Sequence, residues 1–283
     1  MSYWVTRVPL VEIEELRRAA FGDAPALPSA VPDSPRAKLL AAIVLGAQGR
    51  YAAAATLLGE IGRGRDPVLA SLALSTFASH RRQLGGHRAA FARDGAALRL
   101  VAGLTGVDDP DGLDAAGARA DALLGLAADN LGVGRLPVAR RLLARAEPLG
   151  WRARVRKGWV TAEIELASGR AADAVAPAEA ALDLATATGA LRHVTKSQLV
   201  LAAALGATGE REPALHLVHE ALGVSEKFAL RSLSWPAGLL AAEHDPDAPG
   251  RDRSRVDAVL HAVLLRSDPD GRRLARDSPW VPV

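Results

Sequence analysis

Residues 39–58 read LLAAIVLGAQGRYAAAATLL, and this stretch decides the fold. An apolar helix runs into a glycine-containing turn, and a second helix opens on small residues from Tyr51. The same grammar recurs as LGGHRAAFARDGAAL from Leu84, LGVGRLPVARRLLARA from Leu131, ASGRAADAVAPAEAAL from Ala167 and ATGEREPALHLVHEAL from Ala207. Taking Gly49, Gly85, Gly134, Gly169 and Gly209 as turn markers, the separations are 36, 49, 35 and 40 residues. The insertion GLTGVDDPDGLDAAG, Gly103 to Gly117, accounts for the long one. Five positions after each marker stands an alanine: Ala54, Ala90, Ala139, Ala174 and Ala214. A small side chain at one fixed place on the second helix lets the first helix cross close to it. Each unit is then a helix pair that buries its seam only by stacking on its neighbours. The apolar spacing in between is helical, as in Ala214, Leu215, Val218, Ala221 and Leu222, and no strand-like alternation competes.

These five units resemble tetratricopeptide repeats. That family places a small residue eight positions into the unit, met here by Ala42, Ala78, Ala127, Ala162 and Ala202. Gly near the turn, an aromatic two beyond it and Ala five beyond it are matched best by Gly49, Tyr51 and Ala54. The resemblance covers roughly residues 35–225, and it departs from the pattern in lacking the early Trp and usually the closing Pro. The longer spacing, with ALDLATATGALRHVTKSQLVLAAALGATG, is similar to repeats in the sensor regions of large bacterial transcriptional regulators. The implied fold is an all-α, right-handed α-solenoid of about five such pairs, elongated or crescent-shaped. Outside the array, residues 1–34 should hold a short amphipathic helix, Val8 to Phe21, and a Pro-rich linker, Gly22 to Pro35. Residues 226–266 read as two capping helices, about Ser225 to Glu243 and Arg253 to Arg266, and 267–283 as an irregular tail.

The composition is that of a folding chain: 49% hydrophobic and 24% charged over 283 residues. A net charge of +3 is too diffuse to mark a nucleic-acid binder, because salt screens it within about 8 Å. With no cysteine, disulfide frameworks, thiolate metal sites and thiol catalysis are excluded, which fits a cytoplasmic protein. The start of the chain has no continuous apolar stretch, so no secretory signal is expected. No apolar run reaches the roughly 20 residues of a membrane helix, since Leu39 to Leu58 is broken by Gln48 and Arg50.

Signatures of enzymes are missing: there is no phosphate-loop, dinucleotide, nucleophile-elbow or H-E-x-x-H motif. The run Asp108, Asp109, Asp111 and Asp114 fails as a calcium loop, since Gly112 in register puts Ala118 where a bidentate Glu is required. It reads as a solvated inter-helix loop. His216 and His219 share a helical face but make an incomplete metal site. No catalytic, cofactor or metal residues are therefore assigned.

One constellation stands out. Trp151, Arg152, Arg154, Arg156, Lys157 and Trp159 put four cations and two indoles at the start of the fourth unit, and Arg192, His193 and Lys196 occupy the start of the fifth. Cations at a helix N-terminus oppose the macrodipole at about 0.3–1 kcal/mol each, so their accumulation asks for a reason. An acidic partner would be one; a solvated edge in an Arg-rich chain is the other. Neighbouring units stack, so the two clusters should merge on one edge. Trp159 aligns with Leu39, Leu124 and Leu199, which points to packing, while its helical face with Arg156 and Glu163 points to ligand contact. The family's concave positions otherwise carry Arg36, Arg82, Gln83, Asp121, Arg156, Glu163 and Lys196. The resemblance implies a non-enzymatic scaffold or adaptor that binds a peptide or protein in its concave face. The alternative is a regulatory module that acts with transcription machinery or nucleic acid through the basic edge.

Overall fold

The structure is a computed structural model that describes residues 10–27, 31, 33–147, 149–244 and 249–283. Among these residues the fold is entirely helical, and no helix is long and apolar enough to cross a membrane. Helix α1 (Leu10–Phe21) precedes five antiparallel pairs: α2 (Pro35–Ala47) with α3 (Tyr51–Gly62), α4 (Pro67–Gln83) with α5 (His87–Leu100), α6 (Ala115–Gly132) with α7 (Leu136–Arg145), α8 (Trp151–Ala167) with α9 (Ala171–Ala187), and α10 (Leu191–Thr208) with α11 (Arg211–Lys227). A sixth pair, α12 (Arg231–His244) with α13 (Pro249–Leu265), stacks on α11, and α14 (Pro269–Arg276) ends the array. Expected helix over Val8 and Pro9, and part of the linker, lies outside the described residues.

Local chemistry sets the boundaries. Ser34, Asp66 and Asp114 cap α2, α4 and α6 by accepting from the backbone N–H of Ala37 (3.1 Å), Val68 (2.9 Å) and Gly117 (2.8 Å), and Pro35 and Pro67 occupy first-turn positions. Each marker glycine ends a first helix in the left-handed region, with φ of 71° at Gly49 and 92° at Gly209, where a side chain would be strained. Between pairs, Gly189 at φ 66° joins α9 to α10, and Ala229 at φ 52° stands at the equivalent corner between α11 and α12.

The alanine register is the seam of the array. Ala54, Ala90, Ala139, Ala174 and Ala214 have 0% exposure, as do Ala42, Ala78, Ala127, Ala162 and Ala202 on the first helices. The closeness of the crossing shows at Gly158 of α8, where a β-carbon would lie 2.7 Å from the Pro177 carbonyl oxygen and 2.9 Å from the Ala181 β-carbon.

Three expectations need correction. The array is not an open crescent: one superhelical turn returns the last pair to the first. The backbone N–H of Ala52 donates to the Arg266 carbonyl at 2.9 Å, and Arg81 of α4 pairs with Asp268 at 2.9 Å. Tyr51, Leu84, Trp235, Val256, Leu260 and Val263 form one core across that joint. On the opposite side, Leu191 N–H donates to the Gly22 carbonyl at 3.1 Å, which ties α1 to α10. The tail beyond 267 is not irregular either. Asp268 caps α14 through Gly271 N–H at 3.0 Å, with Pro269 at the first turn, and Ala275 and Val281 are buried against the joint. The capping pair also begins later than expected, because Ser225 belongs to α11 and Leu230 is the buried pivot into α12.

Candidate functional site

Closure turns the concave face into a lumen. A cavity of about 420 Å³ is bounded by α4, α6, α8, α10 and α12, the first helices of five successive pairs. Its wall is apolar over Leu124, Val160, Leu199, Val200, Leu233 and Leu240, and the half-open rim carries Trp280 and Val281 from the tail. The other end is plugged by aromatic rings. Phe21 of α1 meets Trp151 edge-on at 6.3 Å, Trp151 meets His193 at 4.9 Å, and His193 stacks on Trp159 at 5.6 Å.

The two basic clusters do converge, but inside the ring instead of on an outer edge. Arg152 and Arg156 of α8 meet Asp121 of α6, and Arg192 of α10 borders the same small cavity under α1. Arg152 is buried; it donates to Asp121 at 2.7 Å and to the carbonyl oxygens of Asp111 (2.8 Å) and Gly112 (3.0 Å). Arg156 pairs with the other oxygen of Asp121. Burial alone would raise that carboxyl, yet the two guanidiniums outweigh it and hold Asp121 below the usual carboxylate range. Lys157 donates to the Ala146 carbonyl at 2.8 Å, and Lys196 pairs with Glu163 at 2.9 Å while lying 5.6 Å from the Trp159 ring centre. Arg192 borders both the main cavity and a smaller one under α1. Of the six clustered cations, only Arg154 is exposed.

Trp159 serves packing and lining together: it is 8% exposed, donates to Ser197 Oγ at 2.8 Å and borders the cavity. Gln83 accepts from the buried Tyr51 hydroxyl at 2.7 Å. Arg82 is clasped by Asp94 and by Asp129, the latter at 2.9 Å, with both carboxylates fully enclosed. Burial, reinforced by the charge on Asp94, pushes Asp129 up to about 7, and burial raises Asp94 as well. His80 is driven down to about 3 by burial and then by Arg192, Arg81 and Arg82; His193 falls well below its ordinary value for the same first reason. Both imidazoles are thus neutral near pH 7.

The acidic insertion is solvated only up to Pro110, and from Asp111 it is buried. Asp111 is 1% exposed and receives Arg17 and the Trp151 indole N–H at 3.1 Å, while Asp109 pairs with Arg36, one of the expected concave positions. These contacts lock α1 and α2 to α6 and α8. His216 faces Glu220 at 3.9 Å on an exposed helix surface, and no group of three metal-ligating side chains occurs among the described residues. Sequence reasoning missed Asp94, Trp235, Trp280 and His87. Asp94 sits on a second helix, which the family reading treats as outward. Its one visible signal is Gly125, whose missing side chain leaves room for the carboxylate.

No protein-family model matches the chain, and no curated protein does. Among solved structures, it is similar to the crystal structure of Rap protein complexed with competence and sporulation factor. That likeness has a TM-score of 0.60 at 11% identity and covers 86% of this chain and 68% of the other. At such identity it establishes the helical-repeat fold alone.

Proposed function

We propose that this chain is a non-enzymatic binding protein that takes a short segment of a peptide or protein partner in its lumen. The carrying observation is the cavity of about 420 Å³ walled by five successive first helices, the face that repeat proteins of this architecture use for recognition. Its size admits a few residues and not a whole helix or protein surface. Support also comes from the similar solved chain, which was captured in complex with competence and sporulation factor. Catalysis gains no support from the lumen, because no nucleophile, base and orienting group meet there. Nor does the cation placement favour a nucleic-acid surface, since all the clustered arginines except Arg154 are paired or turned inward.

The test is selection of short peptides from a random library, followed by anisotropy titration against the wild type and Ala203→Trp. Ala203 borders the cavity, so an indole there fills it. Selected peptides should lose binding to the variant while its melting transition persists. Peptides that bind both proteins equally would place recognition elsewhere.

A further inference from the structure

We infer that the lumen holds a carboxylate-binding subsite at Arg192, and that its ligand class is a short, largely apolar molecule carrying one carboxylate. This rests on the lumen being the binding site. The lumen holds or borders five cations, Arg82, Arg152, Arg156, Arg192 and Lys196, and four carboxylates, Asp94, Asp121, Asp129 and Glu163. Four of the cations have carboxylate partners. Arg192 has none among the described residues, and its Nε is buried without a hydrogen-bond acceptor.

Its charged neighbours make matters worse. Arg152 and Arg156 lie close enough to act on it, and their shared Asp121 is engaged by both. The Tyr51 hydroxyl beside it already donates to Gln83. A guanidinium held against the lumen with its Nε buried and no counter-charge is costly, and a structure keeps one most readily where a ligand supplies the missing anion.

The rest of the wall agrees with that chemistry. Trp235 Nε1 and Ser232 Oγ, both on α12, border the same cavity and are buried without partners. The indole only donates, so the ligand must present acceptors. The planar fork of arginine suits the two oxygens of a carboxylate, and one guanidinium without a carboxylate partner calls for one such group. Leu124, Val160, Leu199 and Leu233 supply the apolar surroundings for the body of the molecule. Two sources share this chemistry: the C-terminus of a short peptide and a small organic acid.

The experiment is isothermal titration of the full chain, at constant ionic strength, with four probes. These are N-acetyl-Val-Leu-Leu as free acid and as C-terminal amide, and 4-phenylbutyrate with 4-phenylbutyramide. At least one acid should bind tenfold or more tightly than its amide, and in Arg192→Gln that ratio should fall below about twofold. A preference confined to the peptide acid identifies a peptide C-terminus; one shared with phenylbutyrate identifies the carboxylate alone. Should Arg192→Gln fail to fold, Arg192→Lys replaces it, and its acid-to-amide ratio should drop at least threefold. An acid preference that survives substitution overturns the subsite. Equal binding of acid and amide that Ala203→Trp abolishes also overturns it, but leaves the lumen as the binding site. Binding untouched by Ala203→Trp, or none by any probe, rejects both.

Discussion

Replacing Arg82 by leucine should unmask the charge locked in the wall of the ring. Asp94 and Asp129 clasp this guanidinium with side chains at 0% exposure, against 10% for Arg82 itself. Removing the cation leaves two enclosed carboxylates facing each other, a loss that typically costs about 3–5 kcal/mol. The pH dependence gives the prediction a second edge. Asp129 sits at about 7 and Asp94 is also raised, both above the ordinary 3.8 of an unfolded chain. The folded state therefore holds more protons than the unfolded state between about pH 4 and 7, and the stability from these groups falls as pH rises through that window. Without Arg82 both values climb further, at about 1.36 kcal/mol per unit, so the deficit is largest above neutrality and shrinks once the carboxyls are protonated. Urea unfolding of wild type and variant at about pH 8 and about pH 5 reads both effects. The expected loss is about 3–5 kcal/mol at the higher pH and no more than roughly half that at the lower. A loss below about 1 kcal/mol, or one equal at both pH values, would refute the reasoning.

His80 and His193 act with the opposite sign. Their folded values lie below the unfolded 6.5, so the stability they leave intact above that pH is lost as pH falls toward the folded value, about 3 for His80. His80→Leu should shift the acid-unfolding midpoint to lower pH, read by circular dichroism; an unchanged midpoint would mean the ring is not buried neutral. Ala174→Trp or Ala214→Trp overpacks the seam and should cost about 1–3 kcal/mol or more, seen as a lower melting temperature. Ala229→Gly relieves a left-handed alanine at φ 52° and should gain roughly 1 kcal/mol in the same assay, whereas Gly209→Ala at φ 92° should lose a similar amount.

The repeat register was legible because its physics is local. A left-handed corner selects glycine, and a close crossing selects alanine five positions later, so Gly49 with Ala54 and Gly209 with Ala214 announce the pair without reference to the rest of the chain. Where the cations point was not legible, because it depends on closure. Arg152 and Arg156 look like an edge until Asp121, more than thirty residues earlier, is brought beneath them and α1 covers the opening. Helix α14 was hidden by its own cap: SDPDG reads as a loop, yet Asp268 and Pro269 are the start signals of a helix whose buried face is little more than Ala275 and its glycine. The inward role of Asp94 failed for a related reason. Its helix is a second helix, and only the bare backbone of Gly125 opposite admits the carboxylate.

The claim on which the lumen depends is closure of the superhelix, and a single cross-linking measurement tests it. The chain contains no cysteine, so Ala53→Cys with Arg266→Cys introduces the only two thiols. Both positions are exposed, and the Ala52 N–H to Arg266 carbonyl bond of 2.9 Å lies beside them at the joint of first and last pairs. Treatment of the native protein with a short bismaleimide should convert nearly all of it to an intramolecular loop, seen as one intact mass carrying a single linker. Two linkers per chain, each attached at one end only, would mean that the ends stand apart and the concave face is open.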